Sequence, residues 1–432
     1  MLILVTGARG FIGSALTTAL RARGHAVRAG VRGHAARVEA SRVAVDFARD
    51  VDSSTWVPRL VGVDAVVNTV GILREHGEQT FERVHVATPR ALFGACASLG
   101  IARVVQLSAL GADASAVSAY HRSKREADDA LAERVPTGWS AQPSLVYGAG
   151  GASARLFDLL ASLPLLPVPG RGTQRIQPIH VDDLVDALCA LVERPPARGG
   201  RIALVGPEPL ALRDYLAALR SGMQLSPTQV LPLPEPVVRI AARAGGLSRQ
   251  ALLDRDTLAM LERGNVADAA ATAALLGRAP RPAAAFIAPR EAAAARTQAR
   301  LAWLLPLLRV SVAIVWIVTG IVSLGVYPVD ASYALLGRVG VPPALRPLML
   351  YGAASLDLVL GALVFVLAAD ARRWLWRTQA ALIVVYSALI AWRLPGFWIH
   401  PYGPMLKNIP LLAGLVLLDT LEPTERTRGT AP

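Results

Sequence analysis

Tyr120 and Lys124 stand four residues apart in SAYHRSKREAD, a stretch with helical patterning, so their side chains share one helix face. A nearby ammonium lowers the pKa of a phenol and can also reach a ribose hydroxyl. The phenol can then pass a proton to or from a substrate oxygen as a hydride moves. Ser108, at the end of the apolar run RVVQLSA, is suited to hydrogen-bond that same oxygen. A Tyr and a Lys at this spacing also arise by chance on helices. The residues that precede the pair are what give it weight.

The chain opens MLILVTGARGFIGSAL, an apolar run followed by Gly7, Gly10 and Gly13 and then a helical pattern. A helix start carries unpaired N–H groups and the positive end of the helix dipole. A diphosphate reaches those groups only where no side chain stands in the way. Gly7 suits the tight turn, Gly10 the close approach, and Gly13 the packing of helix on strand. Arg9, Phe11 and Ile12 belong to the same turn and are expected at the cofactor. No acidic residue for a ribose 2′-hydroxyl occurs between Gly24 and Val38. Arg32, at the end of the second apolar run, and Arg9 favour a 2′-phosphate, hence NADP(H) over NAD(H). In an arginine-rich chain both can also be ordinary surface charges. Asp46 and Phe47 follow the third run, where an adenine ring is usually flanked.

These residues need a scaffold. LILV, VRAGV, RVAV, DAVVNTV, RVVQLSA and SAQPSLVY are continuous apolar runs, as in strands covered on both faces. Helical stretches such as Thr80–Leu99 and Tyr120–Glu133 separate them. The alternation predicts an α/β fold with a doubly wound parallel sheet over residues 1–230. Helices at Leu212–Arg220 and Gln250–Glu262, among proline-rich turns, suggest a small helical substrate-side subdomain at 231–290. Residues 291–302 read as a linker or surface-lying helix. Cys96 and Cys189 lie in Ala/Leu-rich helical stretches and read as buried, reduced thiols without metal-ligand spacing. No metal site is expected.

Residues 303–421 carry four apolar stretches: Trp303–Val326, Leu348–Ala369, Leu375–Trp392 and the shorter Ile409–Leu421. About 20 apolar residues cross a bilayer core, so an all-α, four-helix transmembrane domain is expected, with 422–432 as a tail. Arginines cluster at Arg296 and Arg300, at Arg372, Arg373 and Arg377, and at Arg426 and Arg428. The positive-inside rule then places both termini and the first domain in the cytoplasm, on a bacterial-type inner membrane. The opening apolar run is too short for a signal peptide. The net charge of +13, from 45 Lys+Arg against 32 Asp+Glu, comes from scattered arginines. No basic run interleaved with aromatics points to nucleic acid.

TGARGFIG, the Ser108 segment and YHRSK together resemble the short-chain dehydrogenase/reductase superfamily, over about residues 1–290. VGILREHGEQTFERVHV, QLSALGAD, QPSLVYG and IQPIHVDDL are similar to its atypical branch, which includes the NADPH-holding accessory subunit of respiratory complex I. The resemblance implies a Rossmann domain and adds Pro143 and Val146 to the cofactor contacts. LRVSVAIVWIVTGIVSL, SLDLVLG and WIHPYGPMLKNIPLL resemble the DoxX-like membrane family, members of which occur beside quinone- and oxidase-linked systems. Two positions depart from the active superfamily pattern: His85 stands where a catalytic Asn is common, and Gln142 where an Arg is common. His180, Asp182 and Asp183 read as a helix cap that ties the substrate side to the sheet. Asp357, within a span, is a candidate for substrate or proton handling, with Arg309 or Lys407 as a partner; Trp398, His400 and Tyr402 look like an interface belt. Two functions follow. One is a membrane-anchored NADP(H)-dependent oxidoreductase acting on an apolar carbonyl, hydroxyl or quinone-like substrate. The other is a non-catalytic NADPH-binding assembly element of a membrane redox complex.

Overall fold

The computed structural model describes residues 1–33, 41–247, 255–399 and 405–422, and the chain parts into two compact units between Ala299 and Arg300. His400 and Tyr402 lie outside the described residues. In the first unit the apolar runs become strands β1 (Leu2–Thr6), β2 (Ala26–Arg32), β3 (Arg42–Val45), β4 (Ala65–Asn68), β5 (Arg103–Leu107) and β6 (Trp139–Pro143), joined by β7 (Gly200–Leu204). All pair in parallel, in the order β7-β6-β5-β4-β1-β2-β3.

Alternation along each strand splits the core in two. Ile3 and Val5 face one way, against Leu16 and Leu20 of α1 (Phe11–Ala22) and against Leu184 and Leu188, which belong to a helix at Val181–Glu193. Leu4 and Val66 face the other way. There they meet Trp56 and Leu60 of α2 (Ser53–Leu60), Leu92 and Phe93 of α3 (Thr88–Ser98), and Leu131 of α4 (Ala119–Arg134). Both faces are covered, so the strands carry no polar face.

A third core forms apart from the two that line the sheet. Its residues come from α5 (Ala152–Ser162), α7 (Leu212–Gly222) and the segment around Phe286 and Ile287, with α6 being Val181–Glu193. Helices α8 (Glu235–Leu247), α9 (Arg255–Arg263) and α10 (Ala270–Leu276) complete the unit. Residues 250–254 of the expected helix Gln250–Glu262 lie outside the described residues. Of the two readings of 291–302, linker or surface-lying helix, the stretch is helical: α11 runs Ala292–Ile321, with Ala292 and Ala299 buried in the third core. AAAARTQAR is made of strong helix formers, which explains the continuity.

The second unit holds α12 (Val329–Val339), α13 (Arg346–Val366), α14 (Ala369–Arg393) and α15 (Asn408–Leu421). Among the described residues, three helical stretches are long and apolar enough to cross a membrane: Ala292–Val326, Pro343–Val366 and Ala369–Arg393. Helix α15 has 14 residues, which rises about 21 Å at 1.5 Å per residue against a hydrocarbon core of roughly 30 Å. Helix α12 was not expected. It opens after Pro328 and ends on Gly340, whose φ of 101° closes the last turn. Large apolar side chains such as Val359, Phe365, Val385 and Val416 point outward, as lipid-facing positions do. Helices α11 and α13 approach closely at glycines: a Cβ on Gly361 would lie 3.0 Å from the backbone oxygen of Ala313. At one end Glu422, its side chain fully buried, accepts from Arg309 at 3.0 Å, from Arg372 Nε at 2.9 Å and from Trp376 Nε1 at 3.4 Å. Arg309 is thereby committed to Glu422 and not to Asp357.

Candidate active site

The glycine turn follows β1 directly. Gly7 has φ of +74°, a conformation open to glycine and strained for other residues. A Cβ on Gly13 would lie 2.1 Å from the Gly7 carbonyl oxygen, so helix α1 can sit on the turn only with glycine there. Gly10 is the N-cap of α1, and no side chain caps that end. No acidic residue occupies the first turn. The helix therefore presents its free N–H groups, with Phe11 and Ile12 the first two residues of the helix. A cradle that added Cβ atoms would fill, at an uncapped helix start, fits a dinucleotide diphosphate.

The order of strands reverses between β1 and β4, the crevice in which doubly wound sheets bind ligands. A buried ladder fixes it. Thr6 Oγ1 donates to Asn68 Oδ1 at 2.6 Å, and Asn68 Nδ2 donates to Gln106 Oε1 at 2.7 Å. Thr69 Oγ1 donates to Thr6 O at 2.7 Å. The ends of β1, β4 and β5 are thus pinned beneath the turn.

Helix α4 brings Tyr120 and Lys124 to the same edge. Lys124 is buried, and its Nζ donates to Leu107 O at 3.0 Å and Val70 O at 3.5 Å, joining the ends of β5 and β4. Burial pushes this ammonium down to about 8, opposed by the charge of Asp128 one turn further on. Tyr120 packs edge-on to His85 at 5.6 Å and to Phe81 at 6.3 Å. The expected lowering of the phenol by Lys124 does not occur: burial, reinforced by the Asp128 charge, pushes Tyr120 up to about 12. The phenol keeps its proton at neutral pH.

His85 sits on a π-helical segment, Glu82–Ala87. Such wide turns recur at functional sites. Its Nε2 accepts from Ile72 N at 2.9 Å, so Nδ1 carries the proton and donates to Ser123 Oγ at 2.9 Å. Ser123 in turn donates to Tyr120 O at 2.8 Å. Burial, with the Lys124 charge added, holds this imidazole neutral and down to about 2. His85 therefore acts as a strut between the loop after β4 and the turn of α4 that carries Tyr120.

Ser108 is brought to Asp128: its Oγ donates to Asp128 Oδ2 at 2.8 Å, and Gln142 Nε2 donates to the same oxygen at 2.9 Å. Gln142, departing from the superfamily's Arg, thus does the tying with an amide. Burial raises the Asp128 carboxyl. Arg9 and Arg32 are exposed at the turn and at the end of β2, and neither has an ion pair among the described residues. Asp46 Oδ1 accepts from Ala48 N at 3.0 Å, while the Phe47 ring is buried edge-on against Trp56 at 5.7 Å. Phe47 can therefore meet a cofactor through its backbone. Pro143 ends β6 and is buried, and Val146 pairs with Ile179 in a short parallel ladder. His180 caps α6 through Nδ1 on Asp182 N at 3.2 Å. Asp183 accepts from Arg278 Nη2 and Arg281 N, both at 2.6 Å. Cys96 and Cys189 are free and buried. Sequence reasoning missed Asn68, Gln106, Ser123 and Asp128. The polar letters ending VVN and VVQ were a signal for the first two.

The parallel sheet, the glycine turn at its switch point and the Tyr–Lys helix define an NAD(P)-binding Rossmann domain of the oxidoreductase type. Residues 3–206 match the NAD dependent epimerase/dehydratase family and residues 313–416 the DoxX-like family, so the chain joins one domain of each. The chain is 31% identical over 196 residues to a ceramide reductase of Caulobacter vibrioides, covering 45% of this chain and 61% of that protein. It is 28% identical over 250 residues to NADH dehydrogenase [ubiquinone] 1 alpha subcomplex subunit 9 of Arabidopsis thaliana, covering 55% and 61%. The matches thus span about three fifths of the length of these relatives. An NADPH-dependent quinone oxidoreductase of Escherichia coli, solved with NADPH, shares the fold, with a TM-score of 0.53 and 18% identity over 66% of this chain and 98% of that one.

Proposed function

We propose that the protein is a membrane-anchored, NADP(H)-dependent reductase that acts on the carbonyl of an apolar, lipid-like substrate. The observation that carries this reading is the Tyr120–Lys124 pair at the sheet edge beside the glycine turn, in a chain with three span-length helices. The bound dinucleotide supplies the hydride. Tyr120, a protonated phenol, gives its proton to the substrate oxygen as negative charge develops there. Lys124, through Leu107 O and Val70 O, ties the helix turn that carries Tyr120 to the ends of β5 and β4. His85 and Ser123 fix the helix turn that carries Tyr120. Ser108 steadies Asp128, which balances the Lys124 charge, a role that differs from direct contact with the substrate. The exposed Arg9 and Arg32 support a 2′-phosphate. The name of the Caulobacter relative supports a lipid substrate. Arg372, Arg373 and Arg377 support a cytoplasmic first domain with both termini on that side.

Tyr120→Phe and Gly10→Asp, assayed together, test the reading. The Tyr120 hydroxyl has no hydrogen-bond partner among the described residues, so Tyr120→Phe should leave the fold intact and change NADPH affinity by less than about tenfold. NADPH-dependent reduction, measured on membranes with lipid extract, should fall by roughly 10²–10⁴. Gly10→Asp should abolish both binding and turnover. Full activity of Tyr120→Phe beside loss in Gly10→Asp would mean that the cofactor is held for structure and not for reduction.

A further inference from the structure

Among the described residues of the second unit, five buried side-chain atoms have no hydrogen-bond partner, and three of them lie on three different helices: Trp316 Nε1 on α11, Asp357 Oδ1 on α13 and Gln379 Oε1 on α14. The residues are 6%, 8% and 0% exposed, respectively. A buried polar atom at membrane depth finds no water to satisfy it and is normally paired within the protein.

The three lie at one level. A Cβ on Gly361 would sit 3.0 Å from Ala313 O, and one on Gly320 would sit 2.8 Å from Ala354 O. Residues 313–320 of α11 therefore run antiparallel along 354–361 of α13, and Trp316 and Asp357 fall midway along that contact. Gln379 Nε2 donates to Leu360 O at 3.2 Å, within one turn of Asp357. Trp316 packs in the cluster that includes Leu360, Trp376 and Ile383, which flank Gln379. Tyr386, seven residues beyond Gln379 on α14 and so two turns along the same face, is 37% exposed.

The unpaired atoms specify their complement. Trp316 can only donate, and Gln379 Oε1 can only accept. Asp357 accepts when ionised and donates when protonated. A ketone, ester or quinone oxygen would satisfy Trp316 and leave Gln379 unpaired. A hydroxyl or secondary amide both donates and accepts. We propose that these three residues form an intramembrane site for the neutral, hydroxyl- or amide-bearing head of a membrane lipid. The acyl chains lie along the outward apolar face of the bundle. This site stands apart from the reductase reading and does not depend on it.

The test uses the full chain in detergent micelles with tritiated N-hexadecanoylsphingosine, which carries hydroxyl and amide donors, and tripalmitin, which carries acceptors only. The parent should bind the first saturably and the second at least tenfold more weakly. Trp316→Phe and Gln379→Leu should each lower affinity for the first by roughly tenfold, the share of one buried hydrogen bond. Thermal unfolding of the second unit, followed by tryptophan fluorescence and helical circular dichroism on the same samples, reports that each variant is folded. Asp357→Leu removes a buried polar group and should raise the thermal midpoint while weakening lipid binding. Equal binding of the two lipids, parent-like binding by the folded variants, or no saturable binding by the parent would each overturn the proposal.

Discussion

Gly13→Ala separates the packing role of the glycine turn from its binding role. The added carbon would stand 2.1 Å from Gly7 O and 2.7 Å from Thr69 Oγ1. Non-bonded heavy atoms settle at about 3.5 Å or more, so α1 and the turn must part by over ~1 Å. Forced overpacking of this kind costs about 1–3 kcal/mol, which thermal unfolding of the purified protein should register. The same shift carries the helix N–H groups away from the diphosphate position. Losing one charge-assisted hydrogen bond costs about 1.5–3 kcal/mol, or roughly 10- to 150-fold in affinity. Gly10→Ala is the companion. Its Cβ would meet only Gly7 O, at 3.2 Å, so the fold should tolerate it. Yet the carbon stands in front of the helix start, so NADPH affinity should fall while the thermal midpoint holds. Fluorescence titration with NADPH reads the affinities. A Gly13→Ala protein with the parent's midpoint and affinity within twofold would refute the packing argument. A Gly10→Ala protein that binds like the parent would show that the diphosphate lies elsewhere.

Arg32→Glu should weaken NADPH by roughly 10- to 150-fold and spare NADH, by titration of both; equal losses would make Arg32 a plain surface charge. His85 is held neutral at about 2 when folded, against an ordinary 6.5, so the unfolded chain takes up its proton first. Its contribution is full above pH 6.5 and is lost as pH falls, at about 1.4 kcal/mol per unit, or about 2 kcal/mol by pH 5. Burial lowers His121 and His180 as well, so the comparison of parent and His85→Gln unfolding from pH 7 to pH 5 isolates the His85 share. Lys124 loses its charge as pH rises through about 8, so NADPH-dependent reduction should decline above that pH, and a flat profile to pH 10 would remove Lys124 from the proton-transfer step.

Much of this site was written in local patterns. Six apolar runs became six parallel strands because burial on both faces leaves few polar letters within a strand. Gly7, Gly10 and Gly13 were legible because their constraint is steric and lies within a few residues. Tyr120 and Lys124 share a helix face by spacing alone. What stayed hidden depends on elements that meet only in the fold. The Thr6–Asn68–Gln106 ladder needs three strands side by side. The turn of Ser108 toward Asp128 needs β5 packed on α4. Burial of Tyr120, which reverses the expected pKa shift, is a tertiary property as well. The π-helical turn that aims His85 has no local signature, whereas the start of α11 at Ala292 follows from the helix formers of AAAARTQAR.

The clamp on Glu422 sets an order of events during biosynthesis. Arg309 lies within the first apolar helix, and its carboxylate partner is made 113 residues later. At about 5–20 residues per second that delay is roughly 6 to 23 s. Through that interval the guanidinium of α11 has no Glu422 to meet, and an unneutralised arginine among apolar residues resists transfer into lipid. The contact that ties α11 to the end of α15 therefore forms only once Glu422 has been made. Closure of the bundle becomes a single post-insertion event in which Glu422 gathers Arg309, Arg372 and Trp376 at once. A chain that stops before residue 422 leaves Arg309 and Arg372 without this carboxylate at that end of the bundle.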